Sequence, residues 1–293
     1  MKIQNGFTLL ENVEEIRDWL SKQKVTRKVT RLQVHHMDLP NYSTWEKTDK
    51  KIFSEPHFGR TKSLNDYGKR TWGSGASDGH GHYIAQHFNV FPDGKITTGR
   101  HLNSTPIGIR GWNTNAICIE IYGDFDKGKD VMTKAQKEAV IGLYGELCKR
   151  FKIPVDTAHI RPHCWFTAGG TYLGKYDSNR SAKTCPGTNF MGYGCSPSGF
   201  AKFINKVKAY VNGKEAPKDD AKASFKKYIA KPTVDGLVGR KGPGVEYDKV
   251  TMIDTDIAIT IVGEEKAKDG GTWCKCKAGY YTNKKYMEFV RFI

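Results

Sequence analysis

The sequence predicts two folded domains: an α/β domain with a mixed central sheet flanked by helices, followed by a small all-β barrel. The chain has 293 residues, enough for two domains of roughly 100–200 residues each. Before position 213, helical and strand-like apolar patterns alternate, which is typical of an α/β core. After position 225, short Val-, Ile- and Tyr-rich runs alternate with Gly and Asp turns. We therefore predict domains at 1–213 and 225–293, joined by a polar linker at 214–224.

The elements of the first domain follow from periodicity and turn signals. Apolar residues at helical spacing predict a helix over 11–20, and Thr133 with Gln136 forms a capping box before a second helix that ends near position 151. A third helix is predicted near 197–211. Strands are predicted at 29–34, 84–91, 95–100 and 116–122. Residues 41–79 form an insertion that either lines a groove or packs on the domain as a lid.

Charge and composition narrow the class of protein. The net charge is +16, with 31 basic and 19 acidic residues in 1–213 and 16 and 12 in the remainder. This surplus favours polyanionic partners such as cell-wall polymers, nucleic acid or acidic membrane surfaces. No apolar run approaches the roughly 20 residues of a membrane-spanning helix, and we find no secretory signal at the amino terminus. Seven irregularly spaced cysteines argue against a disulfide scaffold and fit a reducing site of synthesis.

Three residues stand out as candidate metal ligands. His35 ends a predicted strand, His159 follows a second strand-like stretch, and Cys185 precedes Pro186 in a turn. Two imidazoles and a thiolate are suitable zinc ligands and leave a fourth position for water, as in catalytic zinc sites. Composition alone leaves open that each is an isolated polar residue. The pair His163 and Cys164 is an alternative to His159.

Five motifs occur in one order along the chain: Val34-His35-His36; Gln86-His87-Phe88 with the turn Pro92-Asp93-Gly94; Asn115 to Glu120 before Gly123; Ala158-His159; and Lys183-Thr184-Cys185-Pro186-Gly187. Together they resemble the zinc N-acetylmuramoyl-L-alanine amidases of the amidase-2 family, which also includes peptidoglycan recognition proteins. The resemblance covers roughly 26–211. It implies one catalytic Zn²⁺, held by His35 rather than His36, with His159 and Cys185 as the other ligands.

The resemblance implies hydrolysis of the amide that joins the lactyl group of N-acetylmuramic acid to L-alanine. Glu120 lies in an apolar strand, and such a carboxylate suits the transfer of a proton from water to the leaving amine. Lys183 is positioned to stabilise the tetrahedral oxyanion. The simpler alternatives are a buried, ion-paired Glu120 and a solvated Lys183.

One departure from the family concerns Gln86. Some members carry a catalytic tyrosine at this place, whereas glutamine cannot transfer a proton. We expect Gln86 to orient substrate, and we predict His87 and Trp72 as further substrate contacts, with a structural role for His87 as the alternative.

The second domain resembles bacterial SH3-type cell-wall-binding domains through Arg240 to Gly244 and the Gly271-Thr272-Trp273 strand. Its implied role is to hold the enzyme on peptidoglycan and anionic wall polymers. The two cysteines at 274 and 276 are expected to be small buried hydrophobes rather than metal ligands.

The arrangement resembles a phage endolysin, made in the host cytoplasm and acting on the cell wall after release through a holin-made hole. The alternatives are a bacterial autolysin of the same chemistry and a non-catalytic peptidoglycan-binding protein. We expect no specific nucleic-acid partner and no membrane insertion, although inhibition of RNA polymerase is a less favoured alternative.

Overall fold

The computed structural model describes residues 1–213 and 227–292, and the chain divides into two compact units, each described separately below. The predicted linker at 214–224 lies outside the described residues. Among the helices of the described residues, none is long and apolar enough to cross a membrane.

Within residues 1–213, the first unit contains seven strands and six α-helices. The strands are β1 (Lys2–Gln4), β2 (Phe7–Leu10), β3 (Arg31–His36), β4 (Phe88–Val90), β5 (Ile96–Thr98), β6 (Ala116–Ile121) and β7 (Ile160–Pro162). The helices are α1 (Val13–Lys22), α2 (Tyr42–Thr44), α3 (Lys50–Ile52), α4 (Pro56–Trp72), α5 (Lys134–Phe151) and α6 (Pro197–Val211), with a π-helical turn at Trp45–Asp49 and 3₁₀ turns at Gly73–Ala76, His163–Trp165 and Phe190–Gly192.

The strands form one mixed sheet in the order β1-β2-β5-β4-β6-β3-β7. Strands β4, β6, β3 and β7 run parallel to their neighbours, whereas β1, β2, β5 and β4 pair antiparallel. The carboxyl ends of the parallel strands therefore lie at one edge of the sheet. This arrangement confirms the predicted α/β class with a mixed sheet.

Side chains alternate between the two faces of β3 and β6, as the pleat of a strand requires. Leu32 and Val34 of β3, with Ile117 and Ile119 of β6, are fully buried in the main hydrophobic core, to which helices α1, α5 and α6 contribute their apolar faces. The intervening residues of β3, including His35, point to the other face. The core thus fixes which strand residues reach the site.

The capping box predicted the start of α5 correctly, because the side chain of Thr133 accepts a hydrogen bond from the backbone N–H of Gln136 at 3.0 Å. The predicted helices at 11–20 and 197–211 are also present, as α1 and α6. The strand predicted over 84–91 is shorter, since only β4 pairs in the sheet. The strands β1 and β2 and the helix α4 were not predicted.

The second unit is all-β in its described residues. Its strands are β8 (Tyr228–Pro232), β9 (Leu237–Arg240), β10 (Lys249–Ile253), β11 (Ile259–Lys266), β12 (Thr272–Cys276), β13 (Tyr281–Asn283) and β14 (Met287–Phe292). They form one antiparallel sheet in the order β10-β9-β13-β12-β11-β8-β14. Cys274 and Cys276 are buried in its small core, as predicted.

Candidate metal centre and cleft

Three polar side chains meet at the carboxyl edge of the parallel strands. His35 pairs in register with Glu120 across β3 and β6. On the other side of β3, Val34 is opposite Pro162, so the next residues along these parallel strands, His35 and His163, are neighbours. Strand register alone thus brings an imidazole from β3, an imidazole after β7 and a carboxyl from β6 together.

Cys185 completes the cluster from the loop before α6. Ligand atoms of His35, His163 and Cys185 all lie within 4.8 Å of one another. The Sγ of Cys185 is 3.5 Å from Nδ1 of His35, and the two histidine rings have centroids 4.9 Å apart. A tetrahedral zinc ion with ordinary bond lengths separates a nitrogen and a sulfur ligand by about 3.6 Å. The donor set and this spacing therefore fit a catalytic zinc site.

His159 does not belong to this cluster, which corrects the ligand expected from the sequence. It precedes β7 rather than following it, and its backbone carbonyl accepts a hydrogen bond from the N–H of Leu32 at 2.8 Å. His159 and His163 are four positions apart, which is about 13 Å in an extended chain. The His159 ring instead contacts Asp156 at 2.7 Å and its side chain is 36% exposed.

The tautomer of His35 is set by Gln33, two residues earlier on the same face. Nε2 of Gln33 donates to the backbone carbonyl of Trp112 and to Oδ1 of Asn113, both at 3.0 Å, which fixes the orientation of the amide. Its Oε1 therefore faces His35 and accepts from Nε2–H at 3.3 Å. The lone pair of His35 Nδ1 is left directed at the cluster, as outer-shell hydrogen bonds do for metal-binding histidines.

Gly108 leaves the room that this arrangement needs. A Cβ at position 108 would lie 2.0 Å from Oε1 of Gln33 and 3.2 Å from Sγ of Cys118. Any side chain there would displace the Gln33 amide. Sequence reasoning singled out neither Gln33 nor Gly108.

Cys185 is 3% exposed, and burial raises the pKa of its thiol well above the ordinary range. The backbone N–H of His36, 3.3 Å from the sulfur, and the charge of Lys183 both oppose this shift. Burial likewise lowers the pKa of His163 to about 4, so its imidazole is neutral near pH 7 and able to act as a ligand. His36 itself accepts from the N–H of Phe125 at 3.1 Å and does not join the cluster.

The loop that carries Cys185 is held by Asp126. Its carboxylate accepts from the hydroxyl of Thr184 at 2.7 Å and from the backbone N–H of Thr188 at 2.8 Å. Burial raises the pKa of Asp126, but these hydrogen bonds outweigh it and the pKa is lowered. An ionised Asp126 therefore clamps the residues on both sides of Cys185.

Glu120 lies against the cluster, with Oε1 3.8 Å from Nδ1 of His35. Its Oε2 is buried and has no hydrogen-bond partner among the described residues. Burial raises the pKa of Glu120 to about 8, while Lys183 lowers it. Together with Cys118, Glu120 and His35 form a second group whose ligand atoms lie within 4.8 Å. The carboxyl is therefore poised to exchange a proton beside the candidate metal position.

The cluster opens into a cleft of about 740 Å³. Lys183, Gln86 and the exposed Trp72 line this cleft. The ring of Trp72, at the end of α4, meets that of Tyr67 edge-on at 5.8 Å and forms an aromatic rim. The insertion at 41–79 thus supplies a wall of the cleft through a helix.

His87 does not line the cleft, so the structure corrects its expected role as a substrate contact. The ring is 1% exposed; its Nδ1 accepts from the N–H of Cys118 and its Nε2 contacts the carbonyl of Ser104, each at 3.0 Å. Burial, aided by nearby Arg27, lowers the pKa of His87 to about 3. His87 is a neutral structural residue between β6 and the 101–105 loop.

A mixed sheet, two imidazoles and a thiolate at its carboxyl edge, and a carboxyl beside them define a candidate metallohydrolase site. The family model for N-acetylmuramoyl-L-alanine amidase (Amidase_2) matches residues 25–188, more than half of the chain. The chain therefore belongs to the N-acetylmuramoyl-L-alanine amidase family.

Solved structures of relatives share low sequence identity with this chain. N-acetylmuramoyl-L-alanine amidase LysC from Clostridium intestinale is 19% identical, with a TM-score of 0.39, covering 65% of this chain and 91% of that one. Drosophila PGRP-LB is 16% identical, with a TM-score of 0.38, covering 67% of this chain and 89% of that one. No curated protein matches the sequence.

Proposed function

We propose that this protein is a zinc-dependent amidase that cleaves peptidoglycan between the lactyl group of N-acetylmuramic acid and L-alanine. The observation that carries the proposal is the grouping of His35, His163 and Cys185 within 4.8 Å at the base of a cleft, in a chain of the amidase family. Zinc bound there would lower the pKa of a bound water and polarise the substrate carbonyl.

Glu120 is the proton carrier in this proposal. Its buried carboxyl, with a pKa raised to about 8, exchanges a proton near neutral pH. It takes a proton from the attacking water and returns it to the nitrogen of the leaving L-alanine. The register of β3 with β6 fixes the distance between Glu120 and His35, so the carrier needs no movement of the backbone.

Lys183 is a cationic group of the cleft beside the candidate metal position. It is two residues from Cys185 and its charge acts on Glu120, His35 and His163. A positive charge in this place stabilises the oxyanion that develops on the carbonyl during attack. Burial, aided by the charge of Lys183, lowers the pKa of both histidines and so keeps their imidazoles neutral, as ligands must be.

The test is digestion of purified peptidoglycan by the full chain, with mass spectrometry of the products. We expect free stem peptides with a new amino-terminal L-alanine, and no release after treatment with a chelator until zinc is restored. Binding of intact peptidoglycan without cleavage would instead assign the chain to the non-catalytic recognition class. Products cut at another bond would show that the protein is a peptidoglycan hydrolase but that the proposed cleavage site is wrong.

We also propose that the second unit is an SH3-like wall-binding module and that the whole protein acts as an endolysin on a bacterial wall. The net charge of +16 supports attraction to anionic wall polymers. Tethering would raise the effective concentration of the enzyme at its substrate. The full-length Cys185→Ser variant should still sediment with cell walls, and the wild-type chain should lyse cells when co-expressed with a holin. A variant that stays in the supernatant, or cells that do not lyse, would contradict this role.

A further inference from the structure

A chain of buried hydrogen bonds leads away from Gln86, the cleft residue that replaces the tyrosine of some relatives. Nε2 of Gln86 donates to Oδ1 of Asn89 at 2.5 Å, and Nδ2 of Asn89 donates to Oγ1 of Thr97 at 3.1 Å. The hydroxyls of Thr97 and Thr61 are 2.6 Å apart, and Thr61 donates to the carbonyl of His57 at 2.8 Å. Asn89, Thr97 and Thr61 are completely buried, so water does not compete for these bonds.

The donors and acceptors in this row of hydrogen bonds can be assigned in one direction. A carbonyl oxygen only accepts, so the single hydroxyl proton of Thr61 is used on His57. Thr97 must then donate to Thr61, and its oxygen accepts from Asn89. Oδ1 of Asn89 is left facing Gln86, which turns the Gln86 amide so that Nε2 points inward. The reversed direction would lose the bond to His57, and a lost bond in a buried network is costly.

Oε1 of Gln86 lies at the cleft end of this row of hydrogen bonds. No described residue donates a hydrogen bond to it, and it is not among the buried unpartnered atoms, so it is open to the cleft that Gln86 lines. Four bonds thus present a fixed carbonyl oxygen at a place where a tyrosine would present a hydroxyl donor.

We propose that Gln86 accepts a hydrogen bond from a secondary amide N–H of the bound substrate, and that Asn89, Thr97 and Thr61 are positioning residues that hold its acceptor outward. The inference rests on the proposed function, and it assigns the donor to one of the two secondary amides nearest the cut bond, the scissile amide itself or the acetamido group of N-acetylmuramic acid. Because the outward atom is an acceptor, Gln86 contributes to substrate recognition rather than to support of the oxyanion.

The test compares Thr97→Val with Thr97→Ser on a muramoyl-L-alanine peptide, with Thr98→Val as the matched control. Thr98 is the next residue on β5. Its hydroxyl oxygen accepts a hydrogen bond from the N–H of Thr8 and takes no part in the row of hydrogen bonds that begins at Gln86. We expect Thr97→Val to lower kcat/KM about 5-fold, the worth of one neutral hydrogen bond, chiefly through KM, and serine to restore it. Zinc content and thermal melts show that each variant is folded and loaded; Thr61→Val breaks the next link if Thr97→Val does not fold.

Two substrate analogues identify the donor. In one the acetamido N–H is replaced by an ester oxygen, and in the other the scissile nitrogen is methylated. Gln86→Met should lose activity on the parent peptide but match the wild type on whichever analogue lacks the recognised N–H. Equal kcat/KM for Thr97→Val and wild type, or an undiminished Gln86→Met defect on both analogues, would overturn the inference. Failure of the wild type to cleave the parent peptide would instead overturn the proposed function.

Discussion

The two histidines that flank β7 have very different surroundings. His163, after the strand, lies with His35 and Cys185 at the base of the cleft, whereas His159, before the strand, contacts Asp156 and is partly exposed. The two are only four positions apart, and either can serve as a metal ligand by residue type. Because β3 and β7 are parallel, only a residue that follows β7 reaches the edge where β3 ends. Strand direction, rather than the presence of a histidine, decides which of the two residues joins the cluster.

The largest expected effect is the loss of hydrolytic activity in the His163→Ala variant. Loss of a direct ligand should reduce turnover by more than the 10–100-fold typical of outer-shell substitutions, because the metal is no longer retained. His159→Ala should stay within about 2-fold of wild type, since it removes only a partly exposed contact with Asp156. Release of peptides from purified walls measures both. Comparable losses in the two variants would break the contrast between the two ends of β7.

The second largest fall in turnover is expected for Glu120→Gln. The glutamine is nearly isosteric but cannot carry a proton, so we expect turnover to fall by about 100-fold or more while zinc is retained. Stopped assays of the zinc-loaded variant measure this change. Wild-type turnover would assign Glu120 a structural role only.

A smaller effect is expected from Gln33→Leu, which removes the acceptor for Nε2–H of His35. Zinc affinity should fall by about 10–100-fold, because the tautomer and orientation of the imidazole are no longer fixed. Competition with a zinc-binding dye measures the affinity. As a control, Gln23→Leu alters an amide that donates to the carbonyl of Trp19 on α1 and should leave the affinity unchanged. An unchanged affinity in Gln33→Leu would refute the role of the outer shell.

The smallest prediction concerns the buried His87 and acid stability. Its pKa is lowered to about 3 in the folded chain against about 6.5 in the unfolded one. As the pH falls, the unfolded state therefore binds a proton at position 87 before the folded state does. The contribution of neutral His87 to the free energy of unfolding is fully present above pH 6.5 and decreases as the pH drops toward 3. Urea titrations at pH 7.5 and 4.5 measure this loss, which should be smaller in His87→Gln. An equal pH dependence in both proteins would contradict it.

Much of this architecture is predictable from the sequence, and the misses have physical causes. The box of Thr133 and Gln136 and the apolar face after it predict α5 because the core requires that face. Helix α4 escapes prediction because its buried residues are few and partly polar, namely His57, Phe58, Thr61 and Gly68. It also packs on β2 and β5, which are distant in sequence.

The candidate site divides in the same way. His35, Glu120, Lys183 and Cys185 were predicted from motifs, and the structure brings them to one cleft. The signal for His163 was present, since it directly follows a short strand just as His35 nearly ends one, but the step at Arg161 and Pro162 obscured the strand. Gln33 carries no signal in the sequence, because its role depends on contacts made after folding.

The most direct test of this account is the zinc content of the purified full-length wild type, His159→Ala and His163→Ala, measured by mass spectrometry of the metal after gel filtration. We expect about one zinc per chain in the wild type and in His159→Ala, and almost none in folded His163→Ala, since a catalytic site needs three protein ligands. Loss of zinc from His159→Ala, with full retention in His163→Ala, would contradict it.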